Sequence, residues 1–171
     1  MNTREKGRDG RTCRTIYVQG DPLRCLDGIG ACGPGVDHRP ALLIVGIDAR
    51  RVRTKAGFVT LLTRRKRTAL RAPATTSQII AVIDHVGHAE PWMHTTAHRW
   101  ALSIHSGIQR GRGLDMSVTV LLVDWRSSPE LIAERLEELA RRSPGINPAA
   151  VLSAHELRTH TIAQAATNGF I

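Results

Sequence analysis

Three separate stretches of this 171-residue chain are apolar runs that end in an aspartate. They are ALLIVGID at 41–48, SQIIAVID at 77–84 and SVTVLLVD at 117–124. Near-continuous apolar runs of this length predict strands buried on both faces, the pattern found in parallel sheets covered by helices. We therefore expect the middle of the fold to be a sheet with helices packed on it.

The order of the predicted elements supports an α/β fold, with a mixed or largely parallel sheet of four to five strands and C-terminal helices packed on it. Residues 15–19 predict a further strand, and so do residues 57–63, which would follow the strand at 41–48 through a hairpin-like loop at 49–56. We expect residues 15–171 to form one domain, preceded by a disordered basic arm at 1–14.

Three helices are predicted from capping residues and apolar periodicity. Pro91 would begin a helix that runs to about residue 106 and stops at Gly107. A second helix is predicted at 129–142 and a third at 148–167, so residues 116–171 would form a strand–helix–helix unit. The last two helices predict either an antiparallel pair covering the sheet or, as an alternative, a DNA-reading helix-turn-helix.

The aspartates that close the three apolar runs suggest a common site. If the strands are parallel, Asp48, Asp84 and Asp124 lie at the edge of the sheet where α/β proteins bind ligands, and His85 lies beside them. Carboxylates gathered there would repel one another unless a hard cation such as Mg²⁺ or Mn²⁺ neutralised them. A metal ion held by carboxylates in this way can activate water for the cleavage of a phosphodiester bond. The alternative is that each Asp merely turns the chain after its strand.

The segment IVGIDARRVRTKAGFV at 44–59 resembles the first strand and hairpin of RNase H-like nucleases. In that family an aspartate that closes the first strand binds metal, so the resemblance implies a metal ligand at Asp48. This chain has Arg50 and Arg51 where the family usually places a glycine or another small residue.

Residues 50–71 hold the densest charge in the sequence. The stretch contains nine Lys or Arg residues and no Asp or Glu, and the formal charge of the whole chain is +9. Such concentration is typical of a surface that contacts a polyanion, so we predict a nucleic-acid partner. The alternative is a solvated surface that aids solubility. The predicted contacts are Arg50, Arg51, Arg53, Lys55, Arg64, Arg65, Lys66, Arg67 and Arg71.

Histidines and cysteines offer an alternative metal chemistry. His94 and His98 lie one helical turn apart and could chelate Zn²⁺ with a further ligand. On the same helix, an apolar stripe is predicted beside them. A second zinc set would be Cys13, Cys25, Cys32 and His38, although its spacing lacks a close cysteine pair.

These patterns predict a cytoplasmic, basic, nucleic-acid-binding protein that acts as a metal-dependent nuclease or nucleotidyl transferase if the carboxylates hold Mg²⁺ or Mn²⁺. No apolar stretch reaches the ~18 residues of a membrane span, and the polar N-terminus lacks the apolar segment of a secretory signal. Two alternatives stay open. One is a non-enzymatic DNA- or RNA-binding regulator that uses the C-terminal helix pair, and the other is a zinc-stabilised structural protein.

Overall fold

Five parallel strands form a single sheet in the computed structural model, which describes residues 15–27, 29, 41–124, 127–140, 148–159, 162 and 164. The strands are β1 Ile16–Gly20, β2 Ala41–Asp48, β3 Thr76–His85, β4 Ser117–Asp124 and β5 Ala149–Ser153. The helices are α1 Lys55–Leu70, α2 Pro91–Arg112, α3 Pro129–Ala140 and α4 Ala154–Thr159, with a short 3-10 helix at Arg24–Leu26. The α/β fold predicted from the sequence is confirmed.

The three apolar runs that end in aspartate are the three central strands. The order in the sheet is β1-β2-β3-β4-β5, and every neighbouring pair is parallel. Apart from their terminal residues, β2 and β4 are almost entirely buried, because helices cover both faces of the sheet. Strand β1, predicted at 15–19, lies at one edge.

Alternate residues of each strand belong to two separate cores, one on each face of the sheet. The first face packs on α1 and α2, and its core includes Val45, Phe58 and Trp100. The second face packs on the 3-10 helix, α3 and α4, and its core includes Ile44 and Leu136. We call these the first and second faces below.

The chain changes from the first face to the second after β4. After β3 it enters α2 on the first face, and after β4 it enters α3 on the second face. The order of the strands in the sheet follows their order in the chain, so every crossover moves in the same direction across the sheet. The crossover through α3 runs over the second face, and it therefore has the opposite hand to those through α1 and α2, which run over the first. Two neighbouring strands whose following segments diverge in this way leave a crevice between their carboxyl ends, where α/β sheets bind ligands.

The region after β2 differs from the prediction. Residues 57–63 were expected to be a strand after a hairpin, but they lie within α1. Thr54 caps this helix by accepting a hydrogen bond from the Gly57 amide at 3.1 Å, and Phe58 and Leu62, four residues apart, face the core. The hairpin implied by the RNase H-like resemblance is therefore absent, and β2 is followed by a crossover helix.

Two helix boundaries were also predicted wrongly. Helix α2 does not stop at Gly107 but continues to Arg112, where Gly113 ends it with a left-handed φ of 65°. The helix predicted from 148 begins only at Ala154, because residues 149–153 form β5. The segment that begins at Met116 is thus strand–helix–strand–helix. Because β5 separates the last two helices, they form neither the predicted turn-linked antiparallel pair nor the alternative helix-turn-helix.

The predicted basic arm at 1–14 lies outside the described residues, as do Cys13, Cys32 and His38. Among the helices that are described, none is both long enough and apolar enough to cross a membrane.

Candidate functional site

The carboxyl edge of the sheet brings together the acidic residues that the sequence singled out. Asp48 at the end of β2 is the register partner of Asp84 in β3, and His85 is the partner of Asp124 in β4. Since alternate residues of a strand point to opposite faces, Asp48 and Asp84 belong to the second face, and His85 and Asp124 to the first. The four residues thus form two pairs at one edge.

One guanidinium group joins the two carboxylates of the second face. Arg50 donates hydrogen bonds from Nε and Nη2 to the two carboxylate oxygens of Asp48, at 2.9 and 2.7 Å. Its Nε also lies 3.6 Å from Oδ2 of Asp84. Both carboxylates therefore converge on one positive charge.

Asp21, which follows β1, supports this arrangement from the neighbouring strand. Its carboxylate accepts a hydrogen bond from the Asp48 amide at 2.9 Å and forms an ion pair with Arg65 of α1. The chain passes so close to β2 here that a side chain at Gly46 would collide with the Asp21 carbonyl. Glycine at position 46 thus allows Asp21 to hold the end of β2.

The two carboxylates have opposite electrostatic environments. The Arg50 hydrogen bonds hold the pKa of Asp48 below its usual value. Burial raises the pKa of Asp84, and the negative charges of Asp48 and Asp124 raise it further, against the opposing effect of Arg50. In addition, Oδ1 of Asp84 is buried and accepts no hydrogen bond. Asp84 is thus the carboxylate at this edge whose charge is least well satisfied.

His85 is a buried histidine with an unused nitrogen. The residue is 4% exposed, and its Nδ1 has no hydrogen-bond partner. Burial lowers the pKa of His85, although the nearby negative charge of Asp124 acts in the opposite direction. The imidazole is therefore neutral at pH 7, with one polar atom available to a ligand.

Two clefts open at this edge, one on each side of the β3–β4 crevice. The first, about 360 Å³ in volume, is lined by His85, His88 and Arg158 among others, and we call it the histidine cleft. The second, about 380 Å³, is lined by Asp84 and Arg50 among others, and we call it the aspartate cleft. Asp124 and Ser127 line both clefts.

The predicted metal ligands are only partly brought together. Asp48 and Asp84 both lie against the Arg50 guanidinium, whereas the Asp124 side chain belongs to the opposite face of the sheet. Within the described ranges, no group of three or more His, Cys, Asp or Glu residues is arranged to hold a metal ion. His94 and His98 stay one turn apart on α2, and the apolar stripe predicted beside them is buried as expected: Met93, Ala97, Trp100, Ala101 and Ile104.

Cys25, the described member of the predicted cysteine set, lies in the aspartate cleft. Its thiol is buried, which raises its pKa to about 11, and the Asp84 charge contributes to this rise. The thiol therefore stays protonated at neutral pH and is a poor nucleophile.

The basic stretch 50–71 does not form one patch. Arg50, Arg51 and Arg53 precede α1 at the carboxyl edge of the sheet, whereas Arg71 follows its last residue. With 16 residues at ~1.5 Å each, α1 separates these two groups by about 24 Å. Arg50 and Arg65 are already paired with aspartates, and the side chains that remain exposed to solvent are Arg51, Arg53, Lys55, Arg64, Arg67 and Arg71.

Sequence reasoning missed the contribution of α2 to this charge. Helices α1 and α2 together carry no Asp or Glu, and they carry five and three Lys or Arg residues, respectively. The three on α2 are Arg99, Arg110 and Arg112, all exposed. Two of them, Arg110 and Arg112, lie beyond Gly107, where the helix was predicted to stop. Because α1 packs beside α2, these residues lie in the same layer as the basic residues of α1.

A parallel sheet with helices on both faces and two clefts at its carboxyl edge defines an α/β protein with a crevice between the carboxyl ends of β3 and β4. Comparisons of the chain with protein-family models, curated proteins and solved structures found no match.

Proposed function

We propose that the protein binds nucleic acid with the layer formed by α1 and α2. The observation that carries this proposal is the absence of any acidic side chain from the two helices, which carry eight Lys or Arg residues between them. The layer on the other face has the opposite composition, since α3 alone contains four glutamates and one arginine. A phosphate backbone is attracted to the first layer and repelled by the second. We also propose a cytoplasmic location for the protein, which is compatible with a nucleic-acid partner.

The exposed side chains fit phosphate contacts better than base recognition. Arginine guanidinium groups donate paired hydrogen bonds to phosphate oxygens, and neutral Thr60 and Thr63 lie exposed among the cations of α1. We therefore expect sequence-independent binding whose affinity falls steeply with salt.

A pair of double variants tests this surface. Arg64→Gln with Arg67→Gln removes two exposed cations from α1, and Arg24→Gln with Arg158→Gln removes two from the other side of the sheet. We expect the α1 variant to bind a DNA duplex without terminal phosphates more weakly, and the slope of log K against log salt to fall by about 2. The second variant should bind as the wild type does.

Fluorescence anisotropy between about 50 and 200 mM salt measures both slopes. Equal losses in the two variants would mean that net charge alone drives binding, and the proposed surface would be wrong.

A second candidate function is divalent-metal-dependent cleavage of the bound nucleic acid. It is favoured by the convergence of Asp48 and Asp84 on a single cation, next to the basic residues at the start of α1. A Mg²⁺ or Mn²⁺ ion in the place of the Arg50 guanidinium would be held by two carboxylates, with water as further ligands. Its chemistry would be activation of water toward a phosphodiester.

Mn²⁺ binding followed by electron paramagnetic resonance tests the carboxylate pair without requiring activity. We expect Asp84→Asn to lose binding and any Mn²⁺-dependent cleavage of labelled DNA or RNA. We expect Arg50→Gln to bind Mn²⁺ more tightly, because the competing cation is gone. Asp115→Asn serves as the control, since the Asp115 side chain is 90% exposed and distant in the fold. Unchanged Mn²⁺ binding in Asp84→Asn would exclude this site.

A further inference from the structure

The histidine cleft has features that neither nucleic-acid binding nor the Asp48–Asp84 pair uses. It lies at the carboxyl edge of the sheet beyond the ends of β3 and β4, where the two chain segments diverge, and Arg158 of α4 also lines it. Its innermost polar group is His85, whose Nδ1 is buried without a hydrogen-bond partner. A buried polar atom without a partner is destabilising unless a ligand or water satisfies it.

The rim of the cleft carries positive charge. Arg158 lies at its mouth with the imidazoles of His88 and His155, all three exposed to solvent. Ser127, a buried residue with a hydroxyl group, also lines the cleft. A guanidinium with neighbouring imidazoles and a hydroxyl is a donor set that suits phosphate oxygens and disfavours a metal cation.

One acidic group restricts the chemical class of the ligand further. Asp124, the register partner of His85, lines the same cleft. A carboxylate repels a second anion placed against it but accepts hydrogen bonds from hydroxyl groups. The volume of about 360 Å³ exceeds what a phosphate ion alone would fill. The ligand therefore needs a phosphate at the rim and hydroxyl groups toward Asp124 and His85.

We propose that the histidine cleft binds a small phosphate monoester of a hydroxylated molecule, of the sugar phosphate class. Arg158 and the rim imidazoles hold the phosphate. Asp124 and Nδ1 of His85 take the hydroxyl groups.

Ribose 5-phosphate, inorganic phosphate and ribose are the probes that test this assignment on the full chain. Imidazole ¹H–¹⁵N spectra at fixed pH follow His85, His88 and His155 during each titration. We expect ribose 5-phosphate to shift all three, with roughly tenfold higher affinity than inorganic phosphate and no measurable binding of ribose. Equal affinities for ribose 5-phosphate and inorganic phosphate would overturn the hydroxyl assignment, and shifts that spare His85 would overturn the site.

Two arginine variants give a matched control. Arg158→Gln removes the rim cation and should weaken ribose 5-phosphate binding by about tenfold or more. Arg99→Gln removes another exposed cation, on α2 and outside the cleft, and should leave the affinity unchanged. A second variant, His85→Phe, fills the inner part of the cleft and should abolish the shifts of His88 and His155. Equal weakening by Arg158→Gln and Arg99→Gln would show non-specific attraction and refute the proposal.

The outcome of the cleft experiment can be distinguished from that of the nucleic-acid-binding experiment. Loss of DNA affinity in the α1 double variant, with ribose 5-phosphate binding intact, supports two independent surfaces. A failure of the cleft experiment leaves the α1–α2 surface unaffected, because no residue is shared.

Discussion

Asp84 is the residue whose ionised form the fold most clearly destabilises. Strand register fixes it beside Asp48, and it is largely buried in the aspartate cleft, at the same edge as Asp124. Its side chain is 16% exposed, so solvent relieves only part of this repulsion. The Arg50 guanidinium compensates incompletely, because at 3.6 Å it is farther from Asp84 than from Asp48.

The raised pKa of Asp84 predicts how stability depends on pH. The folded state holds the proton more tightly than the unfolded state, so the free energy of unfolding falls as the pH rises from the unfolded pKa through the folded pKa. Asp84→Asn cannot ionise. We therefore expect the variant to be more stable than the wild type at pH 7, with the difference shrinking below the ordinary Asp range of about 3.9.

Urea unfolding at pH 3, 5 and 7 measures this difference. Asp115→Asn, at an exposed position, should show no such trend. A difference between wild type and Asp84→Asn that is the same at every pH would contradict the predicted linkage.

At the scale of elements, α1 shows why local pattern alone failed. The stretch GFVTLLT at 57–63 is rich in β-branched and aromatic residues, which favour strands. However, β2 and β3 are parallel, and a parallel pair cannot be joined by a hairpin, since the chain must first return to the other edge of the sheet. The crossover requires a long connection, and burial of Phe58 and Leu62 stabilises it as a helix.

Thr63 gives a direct test of this helix, because its side chain is exposed and its hydroxyl donates to the Val59 carbonyl at 2.8 Å. In a helix, Thr63→Ala should be neutral or stabilising by a few tenths of a kcal/mol, whereas Thr63→Pro should cost about 3 kcal/mol or more. Thermal unfolding of the two variants compares them at one position. A destabilised Thr63→Ala together with a tolerated Thr63→Pro would be inconsistent with helix α1.

Across the whole molecule, the sheet separates two layers of unlike charge. The first layer holds α1 and α2, and the second holds α3 and α4, where the glutamates are concentrated. The clefts lie at the border, along the carboxyl edge. A polyanion bound to the first layer would thus approach this edge through Arg51, Arg53 and Lys55, which are exposed beside it.

The sequence by itself determined the three central strands and the edge of the sheet at which they end. Long apolar runs must be buried on both faces, and their closing aspartates mark where each strand ends, so β2, β3 and β4 were predictable together with Asp48, Asp84 and Asp124. The buried side of helix α2 was also predictable, because the spacing of its apolar residues is a feature of the local sequence.

Only the tertiary structure decided which of these residues meet. Whether Asp124 faces Asp48 depends on the register between β3 and β4, which pairs Asp124 with His85 and Asp84 with Val123. The two clefts depend on the change of faces after β4, and the charged layer depends on α1 packing beside α2. These are contacts between residues far apart in the chain, and local periodicity carries no information about them.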